Sequence, residues 1–506
     1  MIPVPGFEGR RVAVFGLGRS GITAARALKA GGAEPILWDD GVSGRMQAEA
    51  EGFMVQDLAV ADWSDFAALV LSPGAPLTHP RPHWTVDKSQ EAGVEIIGDL
   101  ELFARALAAL PAEARPRVIG ITGTNGKSTT TALVGWVLKQ AGLTVHVGGN
   151  IGIGVLALPE PTAEAVYVIE CSSYQLDLTT TFAPDVAILT NISPDHLERH
   201  GGIEGYVAAK CRLFQAQGSE AVALVGVDES WGQGIVRDIP RAISISTHPS
   251  PPAGEGGSRR LTDEGSHQPS RLPDRTPDTH VPSDPSSVSL REPPSPARGE
   301  GIVGWPGGLV LSDGRTIDLT PARSLPGRHN AQNAAFAFGA ARAVGVSHDA
   351  AVDGLMTFPG LAHRMETVGQ IDQVRFVNDS KATNADAARQ ALSSYDRVFW
   401  IAGGRAKAGG IDDLAELFDR VMHAFLIGEA AGPFAARLGE TPHTVSGDMQ
   451  TAVAQAFAVA SATGRDEVVL LSPAAASFDQ YPDFEVRGEA FRAAVLNLGA
   501  TPVGHG

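Results

Sequence analysis

The run Ile-Gly-Ile-Thr-Gly-Thr-Asn-Gly-Lys-Ser-Thr-Thr-Thr at 119–131 constrains the fold more than any other stretch. An apolar run at 117–119 feeds a loop rich in Gly and Thr, and a helical pattern follows over 129–140. Strand, loop and helix in that order form the context in which backbone N–H groups and a helix N-terminus cradle phosphates. Lys127 then reaches the β/γ-phosphates and the Ser128 hydroxyl faces Mg²⁺. The strict pattern asks for Gly at 121, where this chain has Ile; its glycines fall at 120, 123 and 126. A turn that merely contains Gly-Lys-Ser is the bland alternative, and the position between strand and helix disfavours it.

The same alternation opens the chain. A strand at 11–15 leads into Gly16-Leu17-Gly18-Arg19-Ser20-Gly21, a helix at 22–30 and a strand at 35–38 ending in Asp39-Asp40. This is a full G-x-G-x-x-G with an acidic residue roughly 20 positions on, which taken alone suggests NAD. The more cautious reading is a nucleotide or pyrophosphate over this helix N-terminus, with Asp39 as hydrogen-bond acceptor. Strands at 68–71 and 94–97 complete an α/β sheet. Ser72-Pro73-Gly74 follows one of them directly, where ligands lie in open sheets.

Further strands at 144–147, 165–169 and 186–189 each end in polar residues on the rim that bears the loop: Gly148-Gly149-Asn150, Glu170, and Thr190-Asn191 before Asp195-His196. Glu170 is either a holder of Mg²⁺ or a salt-bridged carboxylate. His196, one of 14 histidines, is a weak candidate without its neighbours. In the helix at 203–214 the apolar positions Ile203, Tyr206, Val207, Leu213 and Phe214 enclose Lys210 in their stripe. Such a lysine either snorkels past the apolar face or is partly buried with a lowered pKa. A neutral amine of the second kind reacts with CO₂ to give a carbamate, an anionic oxygen ligand. The residues alone leave both readings open.

Composition changes sharply over 248–300, where Pro, Ser, Gly, Arg and Asp dominate and apolar periodicity vanishes. Such a segment buries too little apolar surface to fold alone, which predicts a disordered insertion in place of a hairpin loop. After it, Leu325-Pro326-Gly327-Arg328-His329-Asn330 precedes a helix at 331–343. Asn330 is placed to cap it or to contact a ligand, and Asn333 falls on its first turn. Strands at 374–377, 398–401, 424–427 and 468–471 alternate with helical stretches and predict another parallel sheet. Its loops carry Asp379, Lys381, Thr383, Lys407 and Ser477.

The length of 506 residues suggests about three domains. With a net charge of −17, non-specific nucleic-acid binding is disfavoured, so anionic ligands need locally placed cations and N–H groups. Two cysteines, Cys171 and Cys211, argue against a disulfide framework or a thiolate zinc site. No apolar run approaches the roughly 20 residues that span a bilayer, and 1–9 do not read as a signal peptide. The expectation is a cytoplasmic protein without membrane insertion.

Taken together, the loop at 120–128, Glu170-Cys171-Ser172-Ser173-Tyr174-Gln175-Leu176, the run 191–196, Lys210, His329-Asn330-x-x-Asn333 and His363-Arg364-Met365-Glu366 resemble the Mur ligases. The runs 378–384 and 472–484 are similar to those of the members that add D-glutamate. The resemblance covers nearly the whole chain except the insertion. It implies an α/β fold of three domains: a Rossmann-like unit at 1–112 for the UDP moiety, a central P-loop-type ATPase unit at 113–360, and a C-terminal Rossmann-like unit at 361–506 for the amino acid.

The implied reaction is ATP-dependent amide formation between UDP-N-acetylmuramoyl-L-alanine and D-glutamate through an acyl phosphate, by a monomer. UDP, not NAD, then meets Gly18, Arg19, Ser20, Asp39, Ser72 and Gly74. ATP falls to Gly123, Thr124, Asn125, Gly126, Lys127, Ser128, Thr129, Asn330, Asn333, Arg364 and Asp379. Asn150, His196, Lys381, Thr383, Lys407, Ser477, Phe478 and Phe484 fall to the substrates. One Mg²⁺ is implied at Ser128 and Glu170, and a second at His196 and carbamylated Lys210, with Lys127, Glu170, His196 and Lys210 as the catalytic group. The alternatives are an L-alanine-adding or folylpolyglutamate-type ligase, an NAD-dependent dehydrogenase, and a non-catalytic nucleotide-binding regulator. Deleting 248–300 is expected to leave phosphate release nearly intact; a large loss of turnover in that variant would count against an inert insertion.

Overall fold

The computed structural model describes residues 1–239, 241–247, 301–322, 324–325, 327–407 and 409–502. The first sheet has five strands: β1 (Arg11–Phe15), β2 (Glu34–Trp38), β3 (Met54–Val55), β4 (Phe66–Leu71) and β5 (Glu95–Ile97). Their order is β3-β2-β1-β4-β5, all parallel. Helices cover both faces of such a sheet, so β1 and β4 read as near-continuous apolar runs. Gly16 turns the chain out of β1 at φ +86°, and a Cβ there would lie 2.4 Å from that of Ser72. The following helix begins at Arg19, three residues before the expected start.

The second sheet comprises β6 (Arg117–Thr122), β7 (Thr144–Gly149), β8 (Ala165–Glu170), β9 (Val186–Leu189), β10 (Val222–Gly226), β11 (Ala242–Ser246), β12 (Ile302–Trp305), β13 (Gly308–Leu311) and β14 (Thr316–Asp318). The order is β14-β13-β12-β11-β10-β9-β6-β8-β7, with only the β12-β13-β14 meander antiparallel. β11 and β12 are parallel neighbours. Parallel neighbours are not joined by a hairpin, which corrects the expected hairpin loop. The residues 248–300 themselves, with their expected disorder, lie outside the described residues.

A second correction concerns the helix expected at 331. It spans Gly327–Ala343, so Asn330 is not its cap and Asn333 sits on the second turn. Arg328 anchors the extra turn, donating from Nε to Thr247 Oγ1 (2.7 Å) and from Nη2 to Thr247 O (2.9 Å).

The third sheet is mixed, not purely parallel as expected. It contains β15 (Glu366–Ile371), β16 (Val374–Asn378), β17 (Val398–Gly403), β18 (Val421–Ile427), β19 (His443–Gly447), β20 (Glu467–Leu471) and β21 (Thr501–Pro502), ordered β19-β18-β17-β20-β16-β15-β21. β15 pairs antiparallel with β16 and β21. Its sequence Glu-Thr-Val-Gly-Gln-Ile lacks a buried apolar run, and a two-residue turn at Asp372-Gln373, with Asp372 at φ +49°, folds it back onto β16.

One apolar core runs without a break from the first sheet into the second. The helix Asp99–Ala108 supplies Leu100 and Phe103, which pack with Val118, Tyr167 and Phe182 of the central unit. Phe103 lies 5.6 Å from the Tyr167 ring and 6.3 Å from that of Phe182. Beside them, the Glu101 carboxylate accepts from Thr180 N (2.8 Å) and Thr181 N (2.9 Å). The third sheet keeps separate cores on its two faces and meets the central unit across polar clefts. No helix among the described residues is long and apolar enough to cross a membrane. Phe103→Ala is expected to cost about 3–5 kcal/mol, read by urea titration. The loss should fall on a transition common to the first two sheets, with the third unfolding as before.

Candidate active site

The carboxyl ends of β6, β8 and β9 form one rim, and the loop after β6 is locked onto it. Gly123 adopts φ +144°, and a Cβ there would lie 1.9 Å from Thr190 Oγ1, so only glycine fits. Thr190 Oγ1 donates to Asn125 O (2.6 Å), while Asn191 accepts from Asn125 N (2.8 Å) and donates to Asn125 O (3.1 Å). Gly126, at φ +80°, then starts the helix Lys127–Gln140. This loop presents its backbone as a helix N-terminal anion site does.

Two lysines converge on this loop. Lys210 is 1% exposed, which decides between snorkelling and burial. Its Nζ donates to Gly123 O (2.7 Å) and sits 4.4 Å over the Tyr206 ring. Burial, then the charge of Lys127, pushes its pKa well below that of an ordinary lysine. Lys127 Nζ donates to the same Gly123 O (3.0 Å) and to Thr124 O (2.8 Å), and burial lowers its pKa too.

Glu170 closes β8 and is buried. Its Oε1 accepts from Asn150 Nδ2 (2.8 Å), and its Oε2 has no hydrogen-bond partner among the described residues. An orphaned buried carboxylate oxygen fits a hard divalent cation, and buried Ser128 lies at the helix start. His196, at φ +53°, packs against Tyr174 with ring centroids 5.0 Å apart. Burial lowers its pKa, favouring the neutral imidazole that binds metals. Among the described residues no group of three His, Cys, Asp or Glu is placed to hold a metal. Lys127, Asn150, His196 and Lys210 line one cavity of about 140 Å³.

The third unit completes two clefts. Arg364, Asp379 and Lys381 face Asn125, Gly126, Thr129, Asn330 and Asn333 across a cavity of about 110 Å³. Thr130 Oγ1 donates to Asn333 Oδ1 (3.1 Å), which ties the two central helices together beneath it. Burial raises the Asp379 carboxyl to about 7 against a donated bond from Ser472 Oγ (3.0 Å). Lys381 lies 3.8 Å over the Phe484 ring; burial, then Arg364, brings it down to about 8. Lys407 Nζ comes within 3.9 Å of Asp195 Oδ1 across a wider cleft of about 530 Å³, lined also by Thr124 and His196. Thr383 N donates to Lys381 O (2.8 Å). Ser477 is buried and Phe478 is exposed, and neither lines these clefts.

On the first sheet, Gly18, Arg19, Ser20, Asp39, Ser72 and Gly74 gather at the ends of β1, β2 and β4. Several serve structure there. Asp39 accepts from the N–H groups of Leu17 (2.5 Å) and Gly41 (2.7 Å), so a ligand hydroxyl would share its oxygens. Arg19 donates to Gly152 O (2.9 Å), and Ser20 bonds buried Asp99. Arg199, which sequence reasoning passed over, donates to the carbonyls of Pro73 (3.2 Å), Gly74 (3.0 Å) and Ala75 (3.1 Å). Arg487 was also missed. It is 1% exposed and holds Ser380 O (2.8 Å) and Ala475 O (2.9 Å). It sits in the stripe Phe484, Phe491, Val495, the same signal that marked Lys210.

The family model of the Mur ligase middle domain matches residues 121–249, and that of the Mur ligase glutamate ligase domain matches 363–475. UDP-N-acetylmuramoylalanine–D-glutamate ligase of Caulobacter vibrioides is 56% identical over 505 residues, spanning 99% of this chain and 98% of that one. The enzyme of that name from Rhizobium johnstonii is 49% identical, spanning 98% and 97%. This chain belongs to the Mur ligase family.

Solved Mur ligases share its fold at low identity. UDP-N-acetylmuramate-alanine ligase MurC of Thermotoga maritima aligns at TM-score 0.54 and 14% identity over 97% of this chain and 99% of that one. MurF of Acinetobacter baumannii aligns at 0.53 and 19%, over 78% and 80%. As a Mur ligase the protein is an ATP-dependent amide ligase. Asp379 gives it a pH signature: with a carboxyl near 7 folded and 3.8 unfolded, the native state binds the extra proton between these values. Stability therefore falls as pH rises from about 4 to about 7. Urea midpoints across that range should show the slope, and Asp379→Asn should flatten it.

Proposed function

We propose that this Mur ligase adds D-glutamate to UDP-N-acetylmuramoyl-L-alanine, as the cytoplasmic, monomeric UDP-N-acetylmuramoylalanine–D-glutamate ligase of peptidoglycan precursor synthesis. The full-length likeness to enzymes of that name carries the reading, and the convergence of Lys127 and Lys210 on Gly123 supports it. Three domains at 1–112, 113–360 and 361–506 take the UDP moiety, ATP and the amino acid.

ATP lies between the second and third domains, its phosphates on the loop 123–129 and Lys127, with Asn330, Asn333, Arg364 and Asp379 beside it. The UDP moiety meets Gly18, Arg19, Ser20, Asp39, Ser72 and Gly74. The alanyl carboxylate attacks the γ-phosphorus and ADP leaves, giving an acyl phosphate. The D-glutamate amine, positioned by Lys381, Thr383, Lys407 and Phe484, then attacks the acyl carbon, and phosphate departs. Both steps gather anions, so clustered cations lower the barrier. Mg²⁺ at Ser128 and Glu170, and a second at His196 and carbamylated Lys210, would neutralise charge on the phosphate oxygens. Asn150 holds Glu170 in place for it.

The test is phosphate release with UDP-N-acetylmuramoyl-L-alanine, ATP and D-glutamate, omitting each in turn. Release should need all three, and preference for another amino acid overturns the specificity. Lys127→Ala should lose several orders of magnitude. Lys210→Ala should be crippled as well, and wild type should carry the mass of one CO₂ on Lys210 in native mass spectrometry. Full turnover in Lys210→Ala refutes the carbamate.

A further inference from the structure

Behind the cavity that holds the two lysines runs a hydrogen-bond chain that the steps above leave unused. Ser173 opens the helix Ser173–Asp177 and lines that cavity beside Lys127, His196 and Lys210. Its Oγ lies 3.0 Å from His200 Nε2, and His200 Nδ1 lies 3.0 Å from Asp177 Oδ2. Ser173 and His200 are both buried. The His200 ring stacks on Tyr174 at 5.4 Å and 18°, and Tyr206 packs on it at 5.5 Å. The charged groups at this end are Asp177 and Arg212, whose Nε is 3.7 Å from Asp177 Oδ1.

The geometry dictates the direction of the chain. A carboxylate only accepts, so His200 carries its proton on Nδ1 and donates to Asp177. Nε2 is then a bare acceptor, and the Ser173 O–H must donate to it. That leaves a lone pair free on Ser173 Oγ, on a residue that lines the cavity. Both lysine Nζ atoms are bound to Gly123 O.

The geometry points to Ser173 as the proton acceptor for the attacking amine, with His200 and Asp177 positioned behind it as a relay. The inference rests on the amide-ligase reading and adds a step to it. When the amine nitrogen bonds to the acyl carbon, it carries one proton too many. That proton passes to Ser173 Oγ as the Ser173 O–H proton passes to His200 Nε2. The C–O bond to phosphate breaks and its electron pair leaves with phosphate, while Asp177 stays ionised against the imidazolium. The proton then returns through Ser173 to the departing phosphate.

His200→Gln separates base from scaffold. Its amide oxygen accepts from Ser173 and its NH₂ donates to Asp177, but it takes up no proton. Each variant is assayed with D-glutamate and with hydroxylamine, which traps the acyl phosphate as a hydroxamate. Hydroxylamine is neutral at pH 7, and its nitrogen sheds the extra proton to water unaided. Ligation of D-glutamate should fall by about 10²–10⁴-fold in kcat, with hydroxamate formation near wild type. Ser173→Ala, which removes a single oxygen, should give the same split and serves if His200→Gln melts early. Equal loss of both products, or unchanged ligation, overturns the relay. A wild-type enzyme that forms neither product instead sinks the ligase reading beneath it.

Discussion

Everything at this site depends on one carbonyl. Gly123 O accepts from both Lys127 and Lys210, so two amines that would each prefer a charge share a single acceptor. Two like charges held on one acceptor repel each other. The structure breaks the symmetry by burial: Lys210 is enclosed by the apolar stripe of its own helix and by Tyr206, whereas Lys127 is only half-buried. Burial lowers the pKa of both amines, that of Lys210 to well below the ordinary lysine value. A buried amine of lowered pKa is also the chemistry from which the proposed carbamate follows.

The remainder of the architecture ties the first two sheets into one core and leaves the third on cores of its own. Phe103 and its neighbours weld the first sheet to the second through a common core, with Glu101 and Arg199 adding polar ties at either end. Among the described residues the third sheet shares no core cluster with the second. Lys407 approaches Asp195 at 3.9 Å, joining half-exposed and partly exposed groups, a contact of the kind worth at most about 1 kcal/mol. A weak latch over a cleft suits a reaction whose acyl phosphate must be shielded from water and then released.

How much of this was legible in the sequence follows from period and punctuation. Strands buried on both faces announced themselves as apolar runs ending in Gly, Ser or acidic residues, so the rim carrying Lys127, Glu170 and His196 could be read off directly. Lys210 was visible as a cation inside an apolar stripe, and Arg487 was visible by the same rule. What stayed hidden depended on partners distant in sequence. β15 has no apolar run of its own and exists because β16 lies beside it. The helix from Gly327 starts early because Thr247 grips Arg328. The direction of the chain after Ser246 depends on β12 pairing parallel to β11, which no local pattern encodes. Asp39 looked like a ligand acceptor, yet its oxygens first hold the amides of its own turn.

The stretch leading into the third unit shows why its position and the nucleotide site are coupled. His363 and Met365 both adopt left-handed backbone, at φ +61° and +48°, on either side of Arg364. Side chains with a Cβ resist that region, at a cost of order 1–3 kcal/mol each. Two carboxylates keep them there: Glu366 accepts from His363 N (3.0 Å), and Asp379 accepts from Met365 N (3.3 Å). Asp379 and Arg364 also line the cleft facing Asn125 and Asn333. Asp379 thus both faces the proposed nucleotide and holds the connecting backbone at Met365 in its strained form.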